Sequence, residues 1–393
     1  MDGPSRVLVV SARIGAGHDG AASELCARLG ERGIATDMVD FLDAAPRSGG
    51  LTKGVFRLWL RWTPWLYDIA YRMWVVAPFL YTPMVVLLSA IFGRRLRRWI
   101  ADGEPRAVVS TYPLASVVLG HLRSRGRIEV PVATFLTDFS VHPLWVGRGI
   151  DLHLCVHSTS ADAIRKMASG PVVAAGPMVA PCFREQLVAK DVARALLGVP
   201  EDSTVVLVTA GSWGVGQIEA TFDDLVHDPR HFVMVACGNN ERLLARLAGR
   251  PEGMAIGWTD RMPMLMSAAD VLVQNAGGLT AMEAFSVGLP VISYRPIPGH
   301  GRDNALAMER AGVAPFARDQ ADLLAMVRAA ASGTTSHARR ARSIFVSDAA
   351  DHVADMARSG DLAGALQGSG RAYRREAAAS LRDAAAPQGR RTG

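Results

Sequence analysis

Short runs of β-branched and aliphatic residues recur along the chain, separated by stretches of about 10–15 residues with helical periodicity. This is the rhythm of a parallel α/β sheet. In the first half the runs predict strands at Arg6–Val10, Ile34–Val39, Ala107–Ser110, Val132–Leu136, Leu152–Val156 and Val172–Ala175. The rhythm pauses in the Gly/Pro stretch Gly176–Pro181, which reads as a linker. It restarts at Thr204–Thr209, Phe232–Cys237, Met254–Ile256, Val271–Gln274 and Val291–Tyr294. Two α/β halves are therefore expected, residues 1–178 and 179–360. Residues 361–393, rich in Gly, Ala, Ser and Arg, have the composition of a disordered basic tail.

The 393 residues are 49% apolar and 20% charged, an ordinary globular balance. The net charge of +6 is unevenly placed. Residues 51–99 alone carry +7, together with 11 of the 26 aromatic residues and five of the eight Trp. A nucleic-acid binder coats most of a domain with charge, so this distribution argues against a nucleic-acid partner and for one specialised patch. The four Cys are far apart and form no C-x-x-C, which suits free thiols in a reducing cytoplasm. The N-terminus runs straight into a strand without the features of a signal peptide.

Within that patch, the charges of residues 53–74 fall on one helical stripe. The opposite face holds Phe56, Trp59, Trp62, Leu66, Ile69, Met73 and Trp74, with Trp65 close by. An uncharged stretch, Val75–Gly93, precedes Arg94, Arg95, Arg97 and Arg98. Pro78 and Pro83 are expected to break this stretch, which argues against a transmembrane helix. A buried core helix would explain the apolar residues but not the Trp enrichment or the Arg cluster. Docking at a lipid interface explains both, through Trp59, Trp62, Trp65 and the four Arg.

Two Gly-rich turns carry candidate chemistry. After the first strand, Gly15, Gly17 and Gly20 satisfy the dinucleotide-binding spacing, but Ser11–Ile14 separate them from the strand, where a nucleotide turn would follow directly. His18 is placed at the start of the following helix, where the helix dipole disfavours its protonated form and keeps it available as a base. In the second half, Val271–Gln274 ends in Asn275-Ala276-Gly277-Gly278, and a helix begins near Leu279 or Thr280. Such glycines expose N–H groups to a diphosphate. Glu283, one turn on, is placed to accept hydrogen bonds from ribose hydroxyls. The next strand leads into the turn Pro296–Gly301, with Asn304 expected to open another helix.

The run NAGGLTAMEA…GLPVI…PIPG…NA resembles the sugar-nucleotide half of GT-B glycosyltransferases. More narrowly it is similar to the group of monogalactosyldiacylglycerol synthases, processive diacylglycerol glucosyltransferases and the lipid-intermediate N-acetylglucosaminyltransferase of peptidoglycan synthesis. GAGH after the first strand, the T-D…H-P-x-W segment (Thr137 to Trp145) and GSWGVGQIEAT (Gly211–Thr221) agree with it. The resemblance implies the GT-B fold: two Rossmann-like doubly wound domains facing a central cleft, acceptor on the first and UDP-sugar on the second. It implies transfer of a hexosyl group to a lipid such as diacylglycerol by a peripheral protein at the inner leaflet of an anionic membrane, without cofactor or metal.

His18 would be the general base, with Asp138 orienting the acceptor or assisting His18. Gly15, Gly17 and His142 would contact the acceptor. Donor contacts would come from Gly211, Ser212, Asn275, Gly277, Gly278, Leu279 and Thr280, with Glu283 on the ribose. Gly257, Trp258 and Thr259 would flank the uracil, and Pro298, Gly299, His300 and Asn304 would face the sugar. The chain departs from the family at His300-Gly301-Arg302-Asp303, where Gln-Glu is common, and at Ser212-Trp213, where further glycines are usual. The donor sugar is therefore open. A sugar-nucleotide epimerase of the same fold and a catalytically silent binding module are the alternatives.

Overall fold

Among the described residues all eleven strands form parallel sheets, in two separate stacks. The computed structural model describes residues 5–13, 16–45, 81–168, 170–333 and 337–359. The first sheet has the order β2-β1-β3-β4-β5-β6. Its strands are β1 (Arg6–Ser11), β2 (Ala35–Asp40), β3 (Ala107–Ser110), β4 (Val132–Leu136), β5 (Leu152–Cys155) and β6 (Val172–Ala174). The helices among them are α1 (Ala16–Glu31), α2 (Tyr81–Gly103), α3 (Pro113–Ser124) and α4 (Ser158–Arg165).

The second sheet has the order β11-β10-β7-β8-β9, from β7 (Thr204–Thr209), β8 (His231–Ala236), β9 (Gly253–Ile256), β10 (Val271–Gln274) and β11 (Val291–Ser293). Its helices are α5 (Cys182–Glu185), α6 (Lys190–Leu197), α7 (Ile218–Leu225), α8 (Glu241–Leu247), α9 (Met262–Ala268), α10 (Leu279–Val287), α11 (His300–Arg310) and α12 (Gln320–Ala331). Two last helices, α13 (His337–Arg342) and α14 (Ala349–Ser359), close the described chain.

Helices on both faces bury the central strands completely. Val7, Val9 and Val10 of β1 and Val205, Val206 and Leu207 of β7 are fully inaccessible, which is why these runs read as continuous apolar stretches rather than alternating ones. In each sheet the strand order reverses once, between β1 and β3 and between β7 and β10. Crevices form outside the carboxyl ends of strands at such switch points. The loop after β1 and the loop after β10 face each other across the gap.

The last helix returns to the first half. Arg32, the residue after α1, pairs with Asp348 at 2.8 Å and with Asp351 at 2.7 Å, and Ala350, Val353, Ala354 and Ala357 are buried. Arg28, one turn earlier on α1, donates to the Val179 carbonyl of the linker at 2.8 Å and pairs with Glu24 at 2.6 Å. One face of α1 thus holds both places where the chain crosses between the halves.

The proline at position 83 does not break the segment it interrupts in sequence. It lies in the first turn of α2, where its missing N–H has no intrahelical partner to lose. The helix then runs on through the four arginines, all exposed. Among the described residues no helix is long and apolar enough to cross a membrane. Trp59, Trp62 and Trp65, Gly15 and the tail 361–393 lie outside the described residues.

Candidate active site

The two crevices merge into one cleft of about 720 Å³ between the halves. His18 reaches it from the first turn of α1. Its Nδ1 lies 3.0 Å from Thr137 Oγ1, its carbonyl accepts from Thr111 Oγ1 at 3.2 Å, and its ring meets Tyr112 edge-on at 5.4 Å. Burial lowers the His18 pKa below its ordinary value, and nearby His300 adds to this. The Asp138 carboxylate and the hydrogen bond with Thr111 oppose it. His18 is therefore neutral at pH 7 and able to accept a proton.

Asp138, His142 and His300 gather around it. Asp138 sits on the loop after β4 and accepts from Trp145 Nε1 at 3.4 Å. His142, on the same loop, is buried, which pushes its pKa down to about 4 against the opposing charge of Asp138. His300 opens α11 from the opposite half; burial lowers its pKa as well, with Asp138 and Asp303 opposing. Three histidines and one carboxylate thus meet where the halves touch.

On the facing side, β10 delivers the Gly-rich turn. Gln274 Oε1 accepts the N–H of Ala276 at 2.7 Å and also that of Gly277, while its Nε2 donates to Ser293 Oγ at 2.7 Å. Gly277 has φ +72, and a Cβ there would stand 2.7 Å from Asn304 Cβ, so only glycine fits. The N–H of Gly277 is consequently turned inward. The helix N-terminus that remains for an anion is Gly278 with Leu279 and Thr280, which has no side-chain cap. Glu283 lies one turn on, hydrogen-bonded to Thr280. Burial raises its pKa to about 7.

Asn304, expected to face the sugar, does not line the cleft. It is 0% exposed. Its Nδ2 donates to Asp138 Oδ1 and to the Ala276 carbonyl, both at 3.1 Å, and its Oδ1 accepts from Ser140 N at 2.8 Å. Nor does it open a helix: α11 starts at His300, behind Gly299 with φ +73. Asn275 is also buried, its amide donating to the Val215 carbonyl at 2.8 Å, where it holds the loop after β7. Ser212 Oγ accepts the first N–H of α1, from Ala16, at 3.2 Å, a contact between the halves.

The cleft brings together most of the residues expected there. Gly17, His18, Asp138 and His142 line it from the first half, and Gly211, Ser212, Gly257–Thr259, Asn275, Gly277–Thr280, Glu283 and His300 from the second. Trp258 is 61% exposed at its edge. Pro298, Gly299 and Asn304 do not line it. Sequence reasoning missed the apolar lining on the acceptor side: Phe41, Leu42, Leu88, Phe92, Leu114 and Leu144. It also missed Thr137, although that residue stands in the T-D pair that drew attention to Asp138.

Comparison with known proteins agrees with this architecture. A family described as "Monogalactosyldiacylglycerol (MGDG) synthase" matches residues 27–171. The processive diacylglycerol beta-glucosyltransferase of Bacillus thuringiensis (strain Al Hakam) is 26% identical over 381 residues, covering 89% of this chain and 92% of its own. The crystal structure of Acinetobacter baumannii MurG superposes with a TM-score of 0.55 at 16% identity, covering 91% of this chain and 100% of the other. The chain has the GT-B fold. The same GT-B arrangement occurs in Medicago truncatula UGT71G1, solved with UDP-glucose, at a TM-score of 0.54 and 13% identity over 87% of this chain and 93% of that one. Over most of its length this GT-B chain is thus similar to a diacylglycerol glycosyltransferase.

Proposed function

We propose that the chain transfers a hexosyl group from a UDP-sugar to the hydroxyl of a membrane lipid such as diacylglycerol. One observation carries this reading: the cleft has two chemically unlike halves that meet at His18. The second half offers an uncapped helix N-terminus and a carboxylate suited to a nucleoside diphosphate. The first half offers Phe41, Leu42, Leu88, Phe92, Leu114 and Leu144, which suit an acyl chain and nothing polar.

With Nδ1 engaged by Thr137, His18 Nε2 takes the proton of the acceptor hydroxyl while that oxygen attacks the anomeric carbon. The bond from the anomeric carbon to the diphosphate breaks, and UDP leaves with the electron pair. Its added negative charge meets the N–H groups of Leu279 and Thr280. Glu283 receives the ribose hydroxyls, and the exposed ring of Trp258 stacks on the base.

The reading extends to the membrane. Leu88 and Phe92 of α2 line the cleft, while Val86, Leu87 and Ile91 of the same helix are exposed beside the four arginines. One helix then forms both a wall of the lipid site and a surface that docks on the anionic inner leaflet.

The test is UDP release from UDP-glucose, UDP-galactose and UDP-N-acetylglucosamine with diacylglycerol vesicles. Lipid-dependent release that falls by about 10²–10⁴-fold in His18→Ala is expected. Equal turnover by both proteins removes His18 as the base. Conversion of a UDP-sugar to its epimer without lipid replaces the transferase reading.

A further inference from the structure

Asn304 of α11 joins two segments that approach from different directions. Its amide contacts Asp138 and Ser140 on the acceptor-side loop and the Ala276 carbonyl in the donor-side turn. The Ala276 and Gly277 N–H groups are in turn gathered by Gln274. Asp138 is held from its other oxygen by Trp145, a fully buried side chain whose ring lies 6.0 Å from that of His18. Asp138 does not bond to His18. Its negative charge acts on the ring through space.

We infer that Asn304 is a positioning residue: it fixes Asp138, and through it the electrostatic field at His18, only while the donor turn and the acceptor loop are joined. An N–H dipole donated to a carboxylate partly compensates its charge. Asn304 and Trp145 therefore moderate the field that Asp138 exerts on His18, His142 and His300, the titratable groups gathered around it. Tyr112 at the start of α3 completes the surroundings of His18 with an aromatic edge. The base is thus tuned by a side chain of the opposite half that touches neither substrate.

This role rests on the assignment of His18 as base, but its test reads His18 directly. The ring protons of His18, assigned with His18→Ala, are titrated by NMR in the full chain. Asp138→Asn lowers the His18 pKa, because an opposing negative charge is removed. Asn304→Ala raises it by about half a unit, because the carboxylate loses a compensating donor. The double variant follows Asp138→Asn alone. Trp145→Phe, which leaves a smaller aromatic ring at the position and removes the second donor, also raises it, and serves where Asn304→Ala fails to fold.

Two results overturn the inference. One is a His18 titration that does not move in Trp145→Phe or Asn304→Ala. The other is Asn304→Ala adding its full shift on top of Asp138→Asn. If lipid-dependent transfer is absent in the parent protein while these titrations behave as stated, the transferase reading fails and the positioning role stands.

Discussion

Leu279, the first residue of α10, occupies the space left open by Gly20 of α1: a Cβ at position 20 would lie 2.6 Å from Leu279 Cδ2. Gly17, one turn before, faces the Leu279 backbone N–H, at 3.9 Å from the same construction. The helix that carries the candidate base and the helix N-terminus that offers anion-binding N–H groups therefore pack directly on each other. Glycine at position 20 permits this approach: a Cβ there meets the end of the Leu279 side chain, and the Cγ atoms of a β-branched residue reach further into the same space.

Gly20→Val should consequently weaken UDP binding about tenfold while the chain still folds, at a stability loss of about 1–2 kcal/mol. Calorimetric titration with UDP and a thermal melt measure the two effects separately. Unchanged UDP affinity would show that the Leu279 side chain yields to the valine without moving the start of α10.

Much of the fold was legible in the sequence because buried parallel strands need continuous apolar runs, and eleven such runs stood between polar turns. His18 and Glu283 were legible because each follows a Gly-rich turn at fixed spacing. Asn304 was misread for the opposite reason. An Asn just after a Pro-Gly turn looks like a helix cap facing a ligand, yet Gly299 caps α11 and Asn304 is carried one turn inward, into the join between the halves. The apolar acceptor lining was invisible because Phe41, Leu88 and Leu144 come from three distant segments and resemble ordinary core residues. Only the sheet order brings them to one wall.

Glu283 is a strained choice for the unliganded protein. Burial raises its pKa to about 7, so the folded chain holds a proton that the unfolded chain releases near 4.5. A raised carboxyl pKa means that stability falls as pH rises from about 4.5 through about 7. Glu283→Gln should therefore melt at a higher temperature than the parent at pH 8, by about 1–3 kcal/mol of stability, with little difference at pH 4.5. The same variant should raise the KM for the UDP-sugar about tenfold, and 2′-deoxy-UDP should bind the two proteins more equally than UDP does. A variant that is destabilised at pH 8 contradicts the burial argument.

His153 of β5 is a second, structural source of pH dependence. It is buried in the first sheet, far from any role in the cleft, and burial lowers its pKa to about 4, with the Pro171 carbonyl opposing. Here the unfolded chain binds the proton more tightly than the folded one. Stability is full above about pH 6.5 and is lost as pH falls toward about 4. Denaturant melts at pH 7.5 and pH 5 should differ by about 2 kcal/mol more in the parent than in His153→Leu. Equal pH dependence in both proteins would mean that the His153 pKa does not shift on folding.

The four arginines of α2 provide the last prediction. Arg94, Arg95, Arg97 and Arg98 are all exposed, and only Arg98 has an acidic neighbour on the helix, Asp102 at 3.4 Å. Leu87, 60% exposed on the same helix, supplies apolar surface about two to three turns before them. Each cation near an anionic bilayer is worth about 1 kcal/mol, so replacing all four with Gln should cut sedimentation with phosphatidylserine vesicles by about 100-fold or more. Raising the salt should weaken the parent protein and leave the variant nearly unaffected, because the Debye length shrinks to about 3 Å at 1 M. Leu87→Ser should instead lower binding at every salt concentration, since buried apolar area is not screened. If the quadruple variant sediments like the parent, α2 is not the docking surface, and the apolar wall formed by Leu88 and Phe92 must be reached by lipid from another side of the cleft.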